Sequence, residues 1–109
     1  MPIANCIITE GCPEGIGNIV ELWAKESGVS SEHMTINFVT SSGQFGHKYK
    51  VMASLALPSV WSAQDVSLLQ ISLAKSLASY FLIDVSEVHV ITTVVSSGLV
   101  IESGQEITW

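Results

Sequence analysis

Two short strings return at one spacing, and that spacing limits what the chain can fold into. Ser31-Glu32 is matched by Ser86-Glu87, and Ser41-Ser42-Gly43 by Ser96-Ser97-Gly98, each 55 positions further on. Serine and glycine produce one such match by chance easily, and two at a shared offset less easily, so the pair points to a duplicated unit. The residues between the strings say what the unit is. Pro2 to Thr9 is a β-prone run that starts with a proline, the strand position where a missing N–H costs least. After the break Glu10-Gly11-Cys12-Pro13, the residues Ile16, Ile19, Val20 and Trp23 recur at helical spacing, and Gly28 supplies a stop. Thr35 to Thr40 then reads as a second strand. The first unit is therefore β-α-β.

The second unit repeats that order. A polar connector from Ser41 to Gly46 leads to a strand expected from about Lys48 to Leu57, ended by Pro58. Ser62-Ala63-Gln64-Asp65 resembles a capping box with the shorter acid. A helix follows to about Ile83, with Val66, Leu69, Leu73, Leu77, Tyr80 and Phe81 on one arc and Gln64, Asp65, Ser72, Lys75, Ser76 and Ser79 on the other. Val88 to Val95 is the next strand. The prediction is an α+β fold: two β-α-β units forming a four-stranded sheet with two helices on one face, in a single domain over residues 1–109. No helix remains to cover the other face. Its apolar side chains are expected against copies of the same chain, with strand positions such as Val51 and Val90 as candidates for burial between subunits. The tail from Leu99 to Trp109 alternates apolar residues and suits a short strand added to a neighbour's edge.

Charge points the same way. Only 13% of residues are charged, about half the usual share, while 48% are hydrophobic. A surface so poor in charge fits burial against other subunits. The cations are Lys25, Lys48, Lys50 and Lys75, there is no arginine, and the net charge is −6, so no nucleic acid is expected as a partner. The one apolar stretch long enough to raise the question of a membrane, Val66 to Ile83, is amphipathic, and no membrane span is expected. Cys6 and Cys12 read as free thiols, which suits a reducing cytoplasm.

Candidate site residues each have two readings. Lys48 and Lys50, two apart at the start of a strand, share a face and suit an anionic ligand, or form a solvated strand end. His33 at a helix-to-strand junction is a carbonyl-polarising group or an exposed loop residue. His89, between Val88 and Val90, is a site residue or an interface or core histidine. His33, His47 and His89 lack the pairing of a zinc ligand set, so no metal is expected. Neither a phosphate-cradling glycine loop nor a nucleophile elbow is present.

Met1-Pro2-Ile3 opening directly into a strand, followed by two β-α-β units in 109 residues, resembles the tautomerase superfamily. Within it, the duplicated unit is similar to the branches of macrophage migration inhibitory factor and malonate semialdehyde decarboxylase. The resemblance implies a homotrimer and a cofactor-free isomerase. In such an enzyme Pro2, freed by removal of Met1, is general base and acid beside the carbonyl of a small keto or enol acid. Family members hold the carboxylate with arginines or a lysine near the proline. Here the lysine's position falls near Val29, the fourth-strand tyrosine and asparagine fall near His89 and Ile91, and the decarboxylase aspartate falls near His33. Two other readings stand beside it. One is a non-catalytic trimeric binding module with Pro2 blocked by retained Met1, and the other is a ferredoxin-like domain that binds a small regulatory ligand.

Overall fold

The structure, a computed structural model, describes residues 1–109. Its elements in chain order are β1 (Ile3–Thr9), α1 (Ile19–Ser27), β2 (Thr35–Ser41), β3 (Val51–Pro58), α2 (Ala63–Phe81), β4 (Val88–Val95), β5 (Val100–Glu102) and β6 (Gln105–Ile107). Single 3₁₀ turns at Ser31–His33 and Val85–Glu87 precede β2 and β4. The repeated Ser-Glu strings thus sit in equivalent turns. The two Ser-Ser-Gly strings likewise close β2 and follow β4. Strand order in the main sheet is β2-β1-β3-β4, with β1 parallel to β2, β1 antiparallel to β3 and β3 parallel to β4. Each helix therefore links two strands that are direct neighbours. A ferredoxin-like domain needs split β-α-β units, so the pairing sets that reading aside.

Local chemistry fixes the helix ends. Asn18 caps α1 by accepting from the Glu21 amide, and Gly28 ends it in the left-handed region at φ 73°. Ile16 lies outside the helix, contrary to expectation. Gly17 at φ 97° turns the chain there, and Ile16 is held instead by its amide donating to the Tyr80 carbonyl at 2.9 Å. Ser62 caps α2 by accepting from the Asp65 amide at 3.1 Å, as the capping pattern predicts.

Both helices cover one face of the sheet. Trp23 from α1, Leu69, Leu73 and Leu77 from α2, and Val51, Leu55 and Leu57 from β3 are fully buried there. The Trp23 indole N–H donates to the Leu69 carbonyl at 3.1 Å, which pins α1 to α2. Ser72 and Ser76, expected on the polar arc of α2, are buried as well. Small side chains are what the helix presents toward its neighbours at those positions. Ser72 satisfies its hydroxyl on the Leu68 carbonyl of its own helix at 2.6 Å, and the Ser76 hydroxyl has no partner.

Val51 and Val90 point toward the helices. Val51 belongs to the core and Val90 packs against it, so neither waits for a second subunit. The uncovered face carries the alternate residues. One row across it is Val39, Ile7, Met52 and His89, and the next is Asn37, Asn5, Ser54 and Ile91. It is more mixed than the expected apolar surface, because a polar row runs through its middle. Ile7, Val39 and Ile91 are nonetheless exposed in the protomer.

The tail forms its own hairpin. β5 and β6 pair antiparallel through Ser103-Gly104, both at positive φ, which is the geometry of a tight two-residue turn. No helix is long and apolar enough to cross a membrane.

Candidate functional site

The start of β1 lies at the end of β3, since Ile3 pairs with Ala56. Pro2 is fully buried at this junction, and its carbonyl accepts from the Thr35 amide at 3.0 Å. Met1, partly exposed, lies above it. The turn before β2 brings His33 to the same place, and the chain leaving β3 brings Pro58 and Val60. The tail hairpin closes the remaining side with Val100, Glu102, Ile107 and Trp109. Met1, His33 and these residues line a cavity of about 240 Å³, and Pro2 lies next to it in sequence, behind Met1, without itself lining it. Trp109 is positioned by two bonds: its indole N–H donates to the Ser59 hydroxyl at 2.8 Å, and its amide donates to the Ser97 hydroxyl at 2.8 Å.

Its walls are mainly apolar. His33 and Glu102 are the titratable side chains that line it. An imidazole has at least one N–H to give to a carbonyl oxygen in either protonation state. No lysine lines the cavity.

Lys48, Lys50 and His89 lie elsewhere. Lys50 is joined to the far end of β1, its carbonyl accepting from the Thr9 amide at 3.0 Å. His89 pairs in register with Met52, at the start of β3. The length of β1, about 20 Å at 3.3 Å per residue, therefore separates this group from Pro2 within a protomer. The two lysines do not share a strand face either, because β3 begins at Val51. Gln44 explains the late start: its side-chain carbonyl accepts from the Tyr49 amide at 2.7 Å and holds residues 44–49 in a loop. Lys48 lies 5.5 Å from the Phe45 ring centre and lines a polar depression with Thr9, Glu10 and Ser41. The His89 ring meets Tyr49 at a tilt with centres 4.9 Å apart, and Tyr49 meets His47 likewise at 4.8 Å. Of the residues singled out in the sequence, the fold brings together Pro2 and His33 and leaves the other three at the opposite end.

Neither thiol belongs to the cavity. Burial pushes Cys6 up to about 12. Burial also raises Cys12, with Lys50 nearby pulling the other way. Glu102 and Trp109 were missed in the sequence. No local pattern marks them, because both reach the cavity only through the hairpin and through a bond between residues 50 positions apart.

No protein-family model matches the sequence, and no curated protein does either. Solved structures match in shape. Fused 4-OT, solved as a symmetric trimer, superposes with a TM-score of 0.74 at 12% identity over 96% of this chain and 95% of that one. Pt0534 inactivated by 2-oxo-3-pentynoate gives 0.69 at 15% identity over 97% and 94%. Macrophage migration inhibitory factor from Trichinella spiralis gives 0.69 at 12% identity over 97% and 100%. The fold is that of the tautomerase superfamily.

Proposed function

We propose that this chain, once Met1 is removed, is a cofactor-free tautomerase that moves a proton next to the carbonyl of a small enolisable compound. Pro2 is the general base and acid. The observation that carries the reading is that Met1 lines a mainly apolar cavity and covers the fully buried Pro2 that follows it, in a tautomerase-like fold. Loss of Met1 would turn the Pro2 nitrogen from a tertiary amide into a secondary amine and would open the space Met1 fills at the cavity wall. An ordinary α-amino group titrates near about 8, and a prolyl amine is more basic. The free base is needed for proton abstraction, and apolar walls favour it by penalising the ammonium. His33 would donate to the carbonyl oxygen while the proton is lost.

A homo-oligomer accompanies this reading, and a trimer is the arrangement we favour. The uncovered sheet face with Ile7, Val39 and Ile91 supports it, as does the symmetric trimer of fused 4-OT. The expected keto or enol acid needs a cation at its carboxylate, and within one protomer Lys48 and Lys50 are too far from Pro2 to supply it. Only a neighbouring copy would bring them. The cytoplasm, where Cys6 and Cys12 stay reduced, is the compartment that fits.

The test compares processed and Met1-retaining protein by NMR in deuterated water, following α-proton exchange in phenylpyruvate and in its methyl ester. The processed form should speed the exchange of at least one of them above the protein-free rate, by an increment that rises with pH as Pro2 loses its proton. The retained form should exchange neither faster than protein-free buffer does at any pH. Equal rates in the two forms would rule out the Pro2 amine, and rates equal to that of protein-free buffer would leave a non-catalytic binding module.

A further inference from the structure

The cavity beside Pro2 is built for an uncharged guest. Pro58, Val60, Val100, Ile107 and the Trp109 indole supply apolar walls, and the one formally anionic side chain among the lining residues is Glu102. No lysine or arginine offsets it within the chain, and the only groups nearby that can carry positive charge are the N-terminal amine and the His33 imidazole. Lys25 lies in the last turn of α1, Lys75 is exposed on α2, Lys48 and Lys50 belong to the far end of β1, and there is no arginine. A carboxylate entering here would lose part of its hydration, meet no lysine or arginine and face the like charge of Glu102, which is exposed and so disfavours anions in a salt-dependent way. The net charge of −6 opposes anions at longer range as well. Volume sets the size of the guest. A cavity of about 150 Å³ holds benzene. The 240 Å³ found here, extended by removal of Met1, takes one ring with a short carbonyl side chain.

We propose that the ligand of this site is an uncharged aryl or alkyl carbonyl compound, a ketone, aldehyde or keto ester, and that Glu102 is the residue that turns carboxylic acids away. The proposal rests on the cavity beside Pro2 being the functional site, as the tautomerase reading has it. It places Trp109 as the flat wall against which the ring lies, held by the Ser59 hydroxyl. Glu102 is a specificity-determining residue with no part in proton transfer.

The experiment is an equilibrium titration of the Met1-free protein with phenylpyruvate and its methyl ester, two probes of similar shape that differ in charge. The indole N–H signal of Trp109 reports binding at this cavity. The ester should bind about tenfold more tightly than the acid, and the gap should narrow in high salt as the charge on Glu102 is screened. Glu102→Gln should close most of the gap by strengthening the acid, and Glu102→Lys should reverse the preference. A ratio unchanged by both variants would overturn the proposal, as would tighter binding of the acid or failure of both probes to move the Trp109 signal. Acid binding that is tighter and is lost in Lys48→Met or Lys50→Met would show that a neighbouring copy supplies the cation. The reading is separable from proton transfer: an ester that binds but exchanges no proton removes the role of Pro2 and leaves the ligand class standing.

Discussion

The indole N–H of Trp109 donates to the hydroxyl of Ser59 at 2.8 Å, tying the last residue of the tail to the first residue after β3. The bond joins two exposed groups, so its net worth is about 1 kcal/mol or less. Its effect is positional. Trp109→Phe keeps a ring and removes the N–H, and Ser59→Ala removes the acceptor. Either change should leave the global unfolding midpoint within error. Both should speed hydrogen exchange at Gly98, whose amide donates to the Ile107 carbonyl at 3.0 Å. A large drop in the midpoint would show that the hairpin is part of the core, contrary to this account.

Gly15 is in close contact with the Tyr80 ring. A Cβ added at Gly15 would overlap the Tyr80 ring, so a side chain there cannot coexist with the present packing. The ring has little freedom to move, since it stacks on Phe38 at 5.7 Å and meets Phe81 edge-on at 4.8 Å. Gly15→Ala should cost about 1–3 kcal/mol in urea unfolding. Introduced into a Tyr80→Leu background it should cost much less, because the obstruction is gone. Additive losses would place the cost in the backbone instead.

Cys6 gives the chain an alkaline limit. Its ordinary value is 9.0, and burial raises it to about 12 in the folded protein. Between those values the unfolded chain releases the proton and the folded chain keeps it, so the unfolded state binds fewer protons and stability falls as pH rises. The slope approaches about 1.4 kcal/mol per pH unit above the unfolded value. Below it the contribution is flat. Cys6→Ala, though weakened by the lost packing, should show a shallower decline between pH 9 and 10.5 in the same denaturation series. Parallel declines would assign the alkaline loss to other groups.

Ile91 is 58% exposed on the uncovered face. In an isolated protomer Ile91→Glu would be a surface change, worth within about 0.5 kcal/mol. Between subunits it would bury an unpaired carboxylate at a cost of several kcal/mol. Light scattering should therefore report a smaller particle, with the far-ultraviolet spectrum intact. Unchanged mass would place the interface elsewhere.

What could be read in the sequence was what local chemistry decides. Gly28 stops α1 and Ser62 caps α2 because each acts within one turn, and the repeated strings mark equivalent junctions because the same turns recur. Ile16 was misplaced because periodicity cannot weigh two flanking glycines. Ser72 and Ser76 were assigned to solvent by polarity, whereas close helix packing favours small side chains of either kind. Lys48 and Lys50 were placed on a strand by their spacing, but one glutamine side chain capturing the Tyr49 amide delays that strand. The cavity was only half legible. Pro2 and His33 carry signals in their own neighbourhoods, while Glu102 and Trp109 arrive through a hairpin whose docking depends on residues far away in the chain.

The side-chain amide of Asn37 donates through Nδ2 to the side-chain carbonyl of Asn5 at 2.9 Å, in the middle of the uncovered face. With Ser54 this pair divides the face into bands that differ in what they tolerate as a neighbour. A second sheet laid on it in the matching position can satisfy the remaining amide groups or leave them wet. A sheet displaced by one row would press hydrocarbon onto them and strand their hydrogen bonds, at roughly 1–3 kcal/mol for each buried group. Were copies to pack on this face, the polar stripe would work as a ruler: it would contribute little to how strongly they hold together and much to where they stop sliding.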